Sequence, residues 1–257
     1  MANVEMTNYL EDKVLDLLFR NVAYSPPSTV YLGLATALSD DGDTITEVSG
    51  GSYARQAITF GAAASRQVQN DAAVTFPEAT ALWGDVAWVV LYDAVSSGNP
   101  LFYAAVSPAE NVDTGGILSF GVNKITVSLN SVFGTTIANS LLDHILRNQS
   151  WTSIPTVYVS LYTAFTDEDT NTEVSGNGYA RTAATSGAAS AGSISNSAEV
   201  TFPAASGGNW GTVVHRAAMD AVSGGNIIMH AALDTNRAVN DTKTAKFNIG
   251  SLVHTLN

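Results

Sequence analysis

The sequence contains the same pattern twice, with the second copy beginning halfway along the chain. Five of the repeated blocks are Glu-Val-Ser-Gly (47–50 and 173–176), Tyr-Ala-Arg (53–55 and 179–181), Val-Thr-Phe-Pro (74–77 and 200–203), Trp-Gly (83–84 and 210–211) and Asp-Ala-Val-Ser (93–96 and 220–223). Chance does not place identical blocks in one order. A repeat that spans half the chain indicates a duplicated domain, because solenoid repeats are only about 20–50 residues long. We therefore predict two homologous domains, 1–130 and 131–257.

Each half opens with a helical pattern and continues with strand patterns. Leu10, Val14, Leu17 and Leu18 recur at the spacing of one helix face, and Ile137–Ile145 repeats this pattern in the second half. The strands predicted for the first half are 29–34, 53–60, 72–76, 86–92 and 101–106. The sequence thus predicts a mainly β fold with one N-terminal α-helix per domain. We expect two small β-sandwich or barrel domains in tandem, each helix packing on its own sheet or on a partner.

Composition excludes several classes of function. The chain has 11 basic and 23 acidic residues, a net charge of −12, and no cluster of Lys or Arg. Because phosphate neutralisation needs concentrated basic charge, we expect no nucleic-acid partner. No apolar run approaches the roughly 20 residues of a membrane helix, and the N-terminus lacks the pattern of a signal peptide. Cysteine is absent, which excludes disulfides and thiolate metal sites.

An acidic loop in each half is the best candidate for a metal site. The weak Ca²⁺ candidates are Asp40, Asp41, Asp43, Asp167, Glu168 and Asp169. Clustered carboxylates in a flexible loop can bind Ca²⁺, but their spacing does not match an EF-hand. A solvated acidic loop is the simpler interpretation, and we predict no cofactor and no established metal site.

Three kinds of repeated side chain are candidates for interface or structural roles. They are the Tyr-Ala-Arg pairs Tyr53, Arg55, Tyr179 and Arg181, the tryptophans Trp83 and Trp210, and the turn acids Asp93 and Asp220. The arginines form either an internal ion pair or carbonyl clamp, or a contact across a subunit interface, where Arg and Tyr are enriched. Asp93 and Asp220 are expected to anchor a turn through backbone N–H groups. The tryptophans belong either to the core or to a sugar-stacking surface.

No arrangement of residues indicates catalysis. All four histidines lie in the second half, at His144, His215, His230 and His254. The first half has large apolar or aromatic residues, or a core Val, at the matching positions, which favours structural roles for these histidines. Nucleophile-elbow, P-loop and dinucleotide motifs are absent, and nothing selects a pair of carboxylates for hydrolysis.

The order of the repeated blocks resembles a family of bacteriophage virion proteins, described as tail-fibre-like or as capsid decoration (cement) proteins. The matching segments are 47–55, 74–77, 83–84 and 93–99, and again 173–181, 200–203, 210–211 and 220–226. The first half departs from the family pattern at Ser97, where the second half has Gly224. The resemblance implies no catalytic residue and a place in the virion, assembled in the host cytoplasm.

Our leading hypothesis is a non-enzymatic capsid decoration protein that stabilises the head lattice through two similar domains. Its expected partners are other virion proteins, above all the major capsid protein, together with further copies of itself. Two similar domains can engage two lattice sites and gain avidity without new contacts. The alternative is a tail-fibre or receptor-binding protein that recognises host surface glycan. A depolymerase or hydrolase is the least supported hypothesis.

Overall fold

The computed structural model describes residues 4–256, apart from the side chain of Asp40. The elements of the first half are β1 (Glu5–Met6), α1 (Asn8–Arg20), β2 (Val30–Ser39), β3 (Thr44–Glu47), β4 (Gln56–Ile58), β5 (Gln67–Gln69), β6 (Val74–Thr75), β7 (Gly84–Tyr92), β8 (Pro100–Val112), β9 (Ser119–Phe120) and β10 (Thr126–Ser128). Those of the second half are α2 (Thr135–Arg147), β11 (Val157–Phe165), β12 (Asn171–Glu173), β13 (Thr182–Ala184), β14 (Ser193–Ser195), β15 (Val200–Ala204), β16 (Gly211–Met219), β17 (Ile227–Val239), β18 (Thr244–Phe247) and β19 (Val253–Thr255). The fold is mainly β with one helix opening each half, as the sequence predicts.

The two halves share one sheet topology. In the first half, an antiparallel sheet has the strand order β1-β8-β7-β2-β3, and β4 also pairs with β2. In the second half, the order is β12-β11-β16-β17, with β13 on β11. A bridge between Phe133 and Met229 takes the place of the β1–β8 pairing. Small two-stranded sheets, β5–β10 and β6–β9 in one half and β14–β19 and β15–β18 in the other, complete each unit.

The helices lie where the apolar spacing predicts, and capping residues set their ends. Thr7 caps α1, since its hydroxyl accepts a hydrogen bond from the Leu10 N–H at 3.4 Å. Each helix ends at an asparagine with left-handed backbone, Asn21 (φ 53°) or Asn148 (φ 53°). Asparagine tolerates this conformation, so each helix stops well before the proline that follows it in the chain.

Each helix packs against strands of both halves. α1 contacts β8 of its own half and β14 of the other, and α2 contacts β17 and β5 in the equivalent way. The Asp16 carboxylate accepts a hydrogen bond from the Ala189 N–H at 3.0 Å. The equivalent Asp143 accepts one from the Ala63 N–H at 2.9 Å. These reciprocal contacts relate the halves as in an isologous dimer. Buried side chains from both halves share one core around the two helices, and a separate cluster in the second half includes Phe202 and Trp210.

Candidate functional site

The repeated Glu, Tyr and Arg residues meet in each half to form a polar latch. The first latch comprises Glu47, Tyr53, Arg55 and the loop 93–99, and the second comprises Glu173, Tyr179, Arg181 and the loop 220–226. Glu47 ends β3 and Arg55 immediately precedes β4, and both strands pair with the edge of β2 that faces away from β7. The sheet topology therefore brings these residues together.

A two-pronged ion pair lies at the centre of each latch. Arg55 donates from Nε and Nη2 to the two carboxylate oxygens of Glu47, each at 2.7 Å. Arg181 binds Glu173 in the same way, at 2.7 and 2.6 Å. Two parallel charge-assisted hydrogen bonds fix orientation as well as adding energy. The Arg55 side chain is only 7% exposed, so it lies inside its own half.

The same arginines hold the loops 93–99 and 220–226. Arg55 Nη1 donates to the carbonyl oxygens of Ala94 at 2.8 Å and of Ser97 at 2.6 Å. Within the loop, Asp93 accepts from the backbone N–H and the side-chain amide of Asn99, each at 2.7 Å. The loop of the second half repeats every one of these bonds through Arg181, Asp220 and Asn226. We call residues 93–99 and 220–226 the paired loops.

The latch tyrosines join the latch to the neighbouring strand through hydrogen bonds. The Tyr53 hydroxyl accepts from the Leu34 N–H at 2.9 Å and donates to Glu47 at 2.8 Å. Tyr179 makes the equivalent bonds, both at 3.0 Å. Burial is the main reason that the pKa of each hydroxyl is raised above its usual value. Both tyrosines therefore stay protonated at neutral pH. Tyr53 connects its latch to β2, and Tyr179 connects its latch to β11.

The two tryptophans belong to the core. Trp83 and Trp210 are each 5% exposed. Their indole N–H groups donate to the carbonyl oxygens of Gly51 and Asn177, each at 2.9 Å. Each ring meets the latch tyrosine of its own half edge to face. With their faces covered, these rings are not available for sugar stacking in this conformation.

Each paired loop presents one aliphatic side chain to solvent. Val95 is 55% exposed and Val222 is 56% exposed. Each loop is held by hydrogen bonds from the latch arginine and by its internal Asp–Asn hydrogen bonds. The duplication thus places one exposed valine on the same hydrogen-bonded loop in each half.

The acidic loops contact the helix N-termini. Glu168 accepts from the Thr135 N–H at 2.6 Å, at the start of α2, and pairs with Arg66 at 3.2 Å. Asp43 accepts from the Asn8 side chain at 3.0 Å, at the start of α1. Carboxylates are favoured there because a helix N-terminus carries partial positive charge.

The other loop carboxylates are engaged locally. Asp41 accepts from the Tyr103 hydroxyl at 2.5 Å, and Asp167 accepts from backbone N–H groups of its own loop. Asp169 borders a cleft that also contains Glu168, and the side chain of Asp40 lies outside the described part. Within residues 4–256, no three His, Asp or Glu side chains gather to hold a metal ion. The expectation that these loops are solvated and hold no metal ion stays a prediction.

The histidines occupy separate groups away from the latches. His215 Nε2 and His230 Nδ1 share a hydrogen bond at 3.0 Å, and Phe165 stacks on His215. Burial, with the neighbouring His230 second, lowers the pKa of His215 to about 4. His254 is buried beside Arg216, at 3.2 Å. His144 is also buried, and its ring nitrogens contact backbone carbonyl oxygens.

Sequence reasoning missed two buried charged residues, Glu11 and Arg216. Glu11 is 2% exposed and Arg216 is 7% exposed. The equivalent positions of the other half hold Ala138 and Val89. A charged residue aligned with an apolar residue of the duplicate is the signal that could have found both.

The fold and the latches define a duplicated, mainly β protein whose repeated polar residues bind one another. Comparison with family models identifies it further. Residues 5–128 and 133–255 each match the family described as podophage GP4 fiber I protein gp80. The chain belongs to this family, carries its unit twice, and is a phage virion structural protein. No curated protein matches the chain. Among the described residues, no helix is long and apolar enough to cross a membrane.

Proposed function

We propose that this protein is a non-enzymatic subunit of a virion fibre, joined to neighbouring virion proteins through the paired loops. The observation that carries the proposal is the duplicated latch, which fixes the same loop in both halves and exposes Val95 and Val222 equally. The family description, which names a fibre protein, supports the fibre location.

Duplication favours attachment at two related sites. Two equivalent surfaces on one chain convert the second contact into an intramolecular event, which raises overall avidity without new chemistry. Further copies of this chain in a fibre offer such sites, so self-association is part of the proposal.

Capsid decoration is the second candidate. The same duplication supports it, because a head lattice repeats its surface at fixed spacing and suits a subunit with two matching loops. The partner would then be the major capsid protein. Cryo-electron microscopy of virions, with antibody labelling of this chain, distinguishes the two: density in a fibre supports the first candidate, and density across the head supports the second.

A charge-insertion experiment tests the paired loops. Val95→Asp combined with Val222→Asp is expected to leave the fold intact, because both side chains are exposed, but to remove the protein from purified virions. The matched control is Val122→Asp with Ile249→Asp, a second pair of exposed aliphatic residues at equivalent positions, 49% and 68% exposed. Normal incorporation of the loop variant, or loss of only the control, would overturn the assignment of the loops.

A further inference from the structure

A cavity of about 420 Å³ lies at the junction of the two halves. Its walls include Met6 and Phe133, and Leu129 and Leu256. The members of each pair occupy equivalent positions in the two halves, so the duplication supplies the same wall positions twice. Phe102 adds an aromatic side chain. The cavity is therefore lined largely by apolar groups, near the axis that relates the halves.

Glu11 breaks this internal symmetry. It lines the cavity, yet it is 2% exposed, and its Oε2 atom has no hydrogen-bond partner among the described residues. The second half has Ala138 at the equivalent position. A buried carboxyl oxygen without a partner costs stability, and apolar side chains cannot compensate for it. Among the described residues, the cavity thus contains one buried carboxyl oxygen that lacks a hydrogen-bond donor.

Among the described residues, the charged groups that shift the pKa of Glu11 do not supply the missing partner. Asp41, Asp12 and Glu5 all act on it, and each is acidic. Burial, with these acids adding to it, raises the pKa of Glu11 to about 7. A cation beside Glu11 would offset the cost of burying its negative charge and the repulsion from these acids, whereas an anion would add to that repulsion.

We propose that this cavity binds a primary alkylammonium group, whose stem contacts the apolar walls and whose charge pairs with Glu11. Two kinds of ligand carry an ammonium group on a short aliphatic stem. One is a free amphiphilic amine, and the other is a lysine side chain of a neighbouring virion protein. Neither source is required by the fibre assignment, so the proposal stands apart from it.

The pairing makes binding depend on pH in a defined direction. The ammonium stays protonated up to about pH 10, so only the carboxyl changes its charge near neutrality. Ionisation of Glu11 increases about tenfold between pH 6 and pH 8 for a pKa of about 7, and affinity for the cation is expected to rise by the same factor. A neutral alcohol of the same length has no charge to pair with the carboxylate, so its affinity is expected to rise far less.

The test is a calorimetric titration of the full chain with hexylamine and with 1-hexanol at pH 6 and pH 8. We expect hexylamine to bind about tenfold more tightly at pH 8 and hexanol to show no such gain. Glu11→Gln is expected to abolish the gain. Glu78→Gln is the matched control, since it also removes one negative charge but at an exposed position outside the cavity.

Two outcomes would overturn the proposal: no preference of the unaltered chain for amine over alcohol at pH 8, or a preference retained in Glu11→Gln. The affinities of the unaltered chain for hexylamine at pH 6 and pH 8 need no variant. They test the proposal even if Glu11→Gln fails to fold. A second titration, with Nα-acetyl-lysine methylamide, distinguishes the sources. Binding of both amines supports a lysine side chain, and binding of hexylamine alone supports a free amine.

Discussion

The two halves keep the same latch but differ in the polar groups that they bury at their junction. Corresponding hydrogen bonds of the latches have nearly equal lengths, and the largest difference is 2.8 Å for Tyr53 to Glu47 against 3.0 Å for Tyr179 to Glu173. At the junction, the first half buries Glu11 where the second has Ala138. The repeated contacts therefore define the fold, and the unrepeated ones distinguish the halves.

The second half also buries a charged residue that is not repeated, Arg216, where the first half has Val89. Arg216 donates to the Val253 carbonyl oxygen at 2.6 Å and contacts His254, whose ring packs on Phe19 of the first half. Burial lowers the pKa of Arg216 to about 10, although Asp234 opposes the change. Each half has thus acquired a buried charged group that its duplicate lacks.

The largest expected effect comes from separating the halves. Residues 1–130 and 131–257, produced as separate chains, are each expected to be unfolded or to self-associate, because α1 and α2 lose the strands of the other half. Mixing the two chains should restore one complex with the circular dichroism of the full protein. Size-exclusion chromatography with light scattering provides the measurement.

A full chain nicked by a protease after Asn130 is the control, because it keeps both segments together. If either segment alone proved to be a monomer with cooperative unfolding, the halves would be independent domains and the shared core would contribute little.

The latches should respond similarly to the loss of their arginine, with a slightly larger effect for Arg55, which also lies over the Tyr92 ring at 3.3 Å where the second half has Met219. Arg55→Ala and Arg181→Ala are each expected to lower the free energy of unfolding by about 3 kcal/mol, because each leaves a partly buried carboxylate and two carbonyl oxygens without their donor. Urea denaturation measures both. Arg20→Ala is the control, since its exposed pair with Asp16 is expected to contribute less than about 1 kcal/mol. A large difference between the two latch variants would contradict their equivalence.

Glu11→Gln should reveal the asymmetry of the junction as a pH effect. The folded chain raises the pKa of Glu11 from 4.5 to about 7, so the folded state holds this proton more tightly than the unfolded state. The protonated Glu11 carboxyl therefore stabilises the folded state fully below about pH 4.5, and this stabilisation is lost as the pH rises through 7. The free energy of unfolding of the neutral Gln variant should therefore exceed that of the unaltered chain by about 3 kcal/mol at pH 8.5, and by less than about 1 kcal/mol at pH 5.

Urea denaturation at the two pH values measures this difference, and Glu78→Gln, which removes an exposed acid outside the cavity, serves as the reference. Equal stability of Glu11→Gln and the unaltered chain at pH 8.5 would show that the buried carboxyl has a partner or reaches water.

The sequence predicts the elements better than it predicts how they assemble. The helix spacing of Leu10 and Val14, and the duplication itself, follow from local periodicity and self-comparison, and both are confirmed. The exchange of helix contacts between halves does not follow, because apolar faces carry no information about which sheet covers them. The latch residues were identified by their recurrence, whereas Glu11 was missed because a single acid in a helix resembles a solvated side chain.

The smallest expected effect concerns Ser97, where the paired loops differ. Ser97 has a φ of 54° and its counterpart Gly224 has 59°, a left-handed conformation that glycine adopts without steric cost. Ser97→Gly should therefore stabilise the chain by about 0.5 kcal/mol, since relief of strain is partly offset by the greater freedom of the unfolded glycine. Gly224→Ser should have the opposite sign, and its side chain meets no atom within 4 Å, so strain alone acts there. Both changes are measurable by urea denaturation of matched samples. A destabilising Ser97→Gly would show that the serine hydroxyl supports the first loop, which would make the two loops chemically different surfaces.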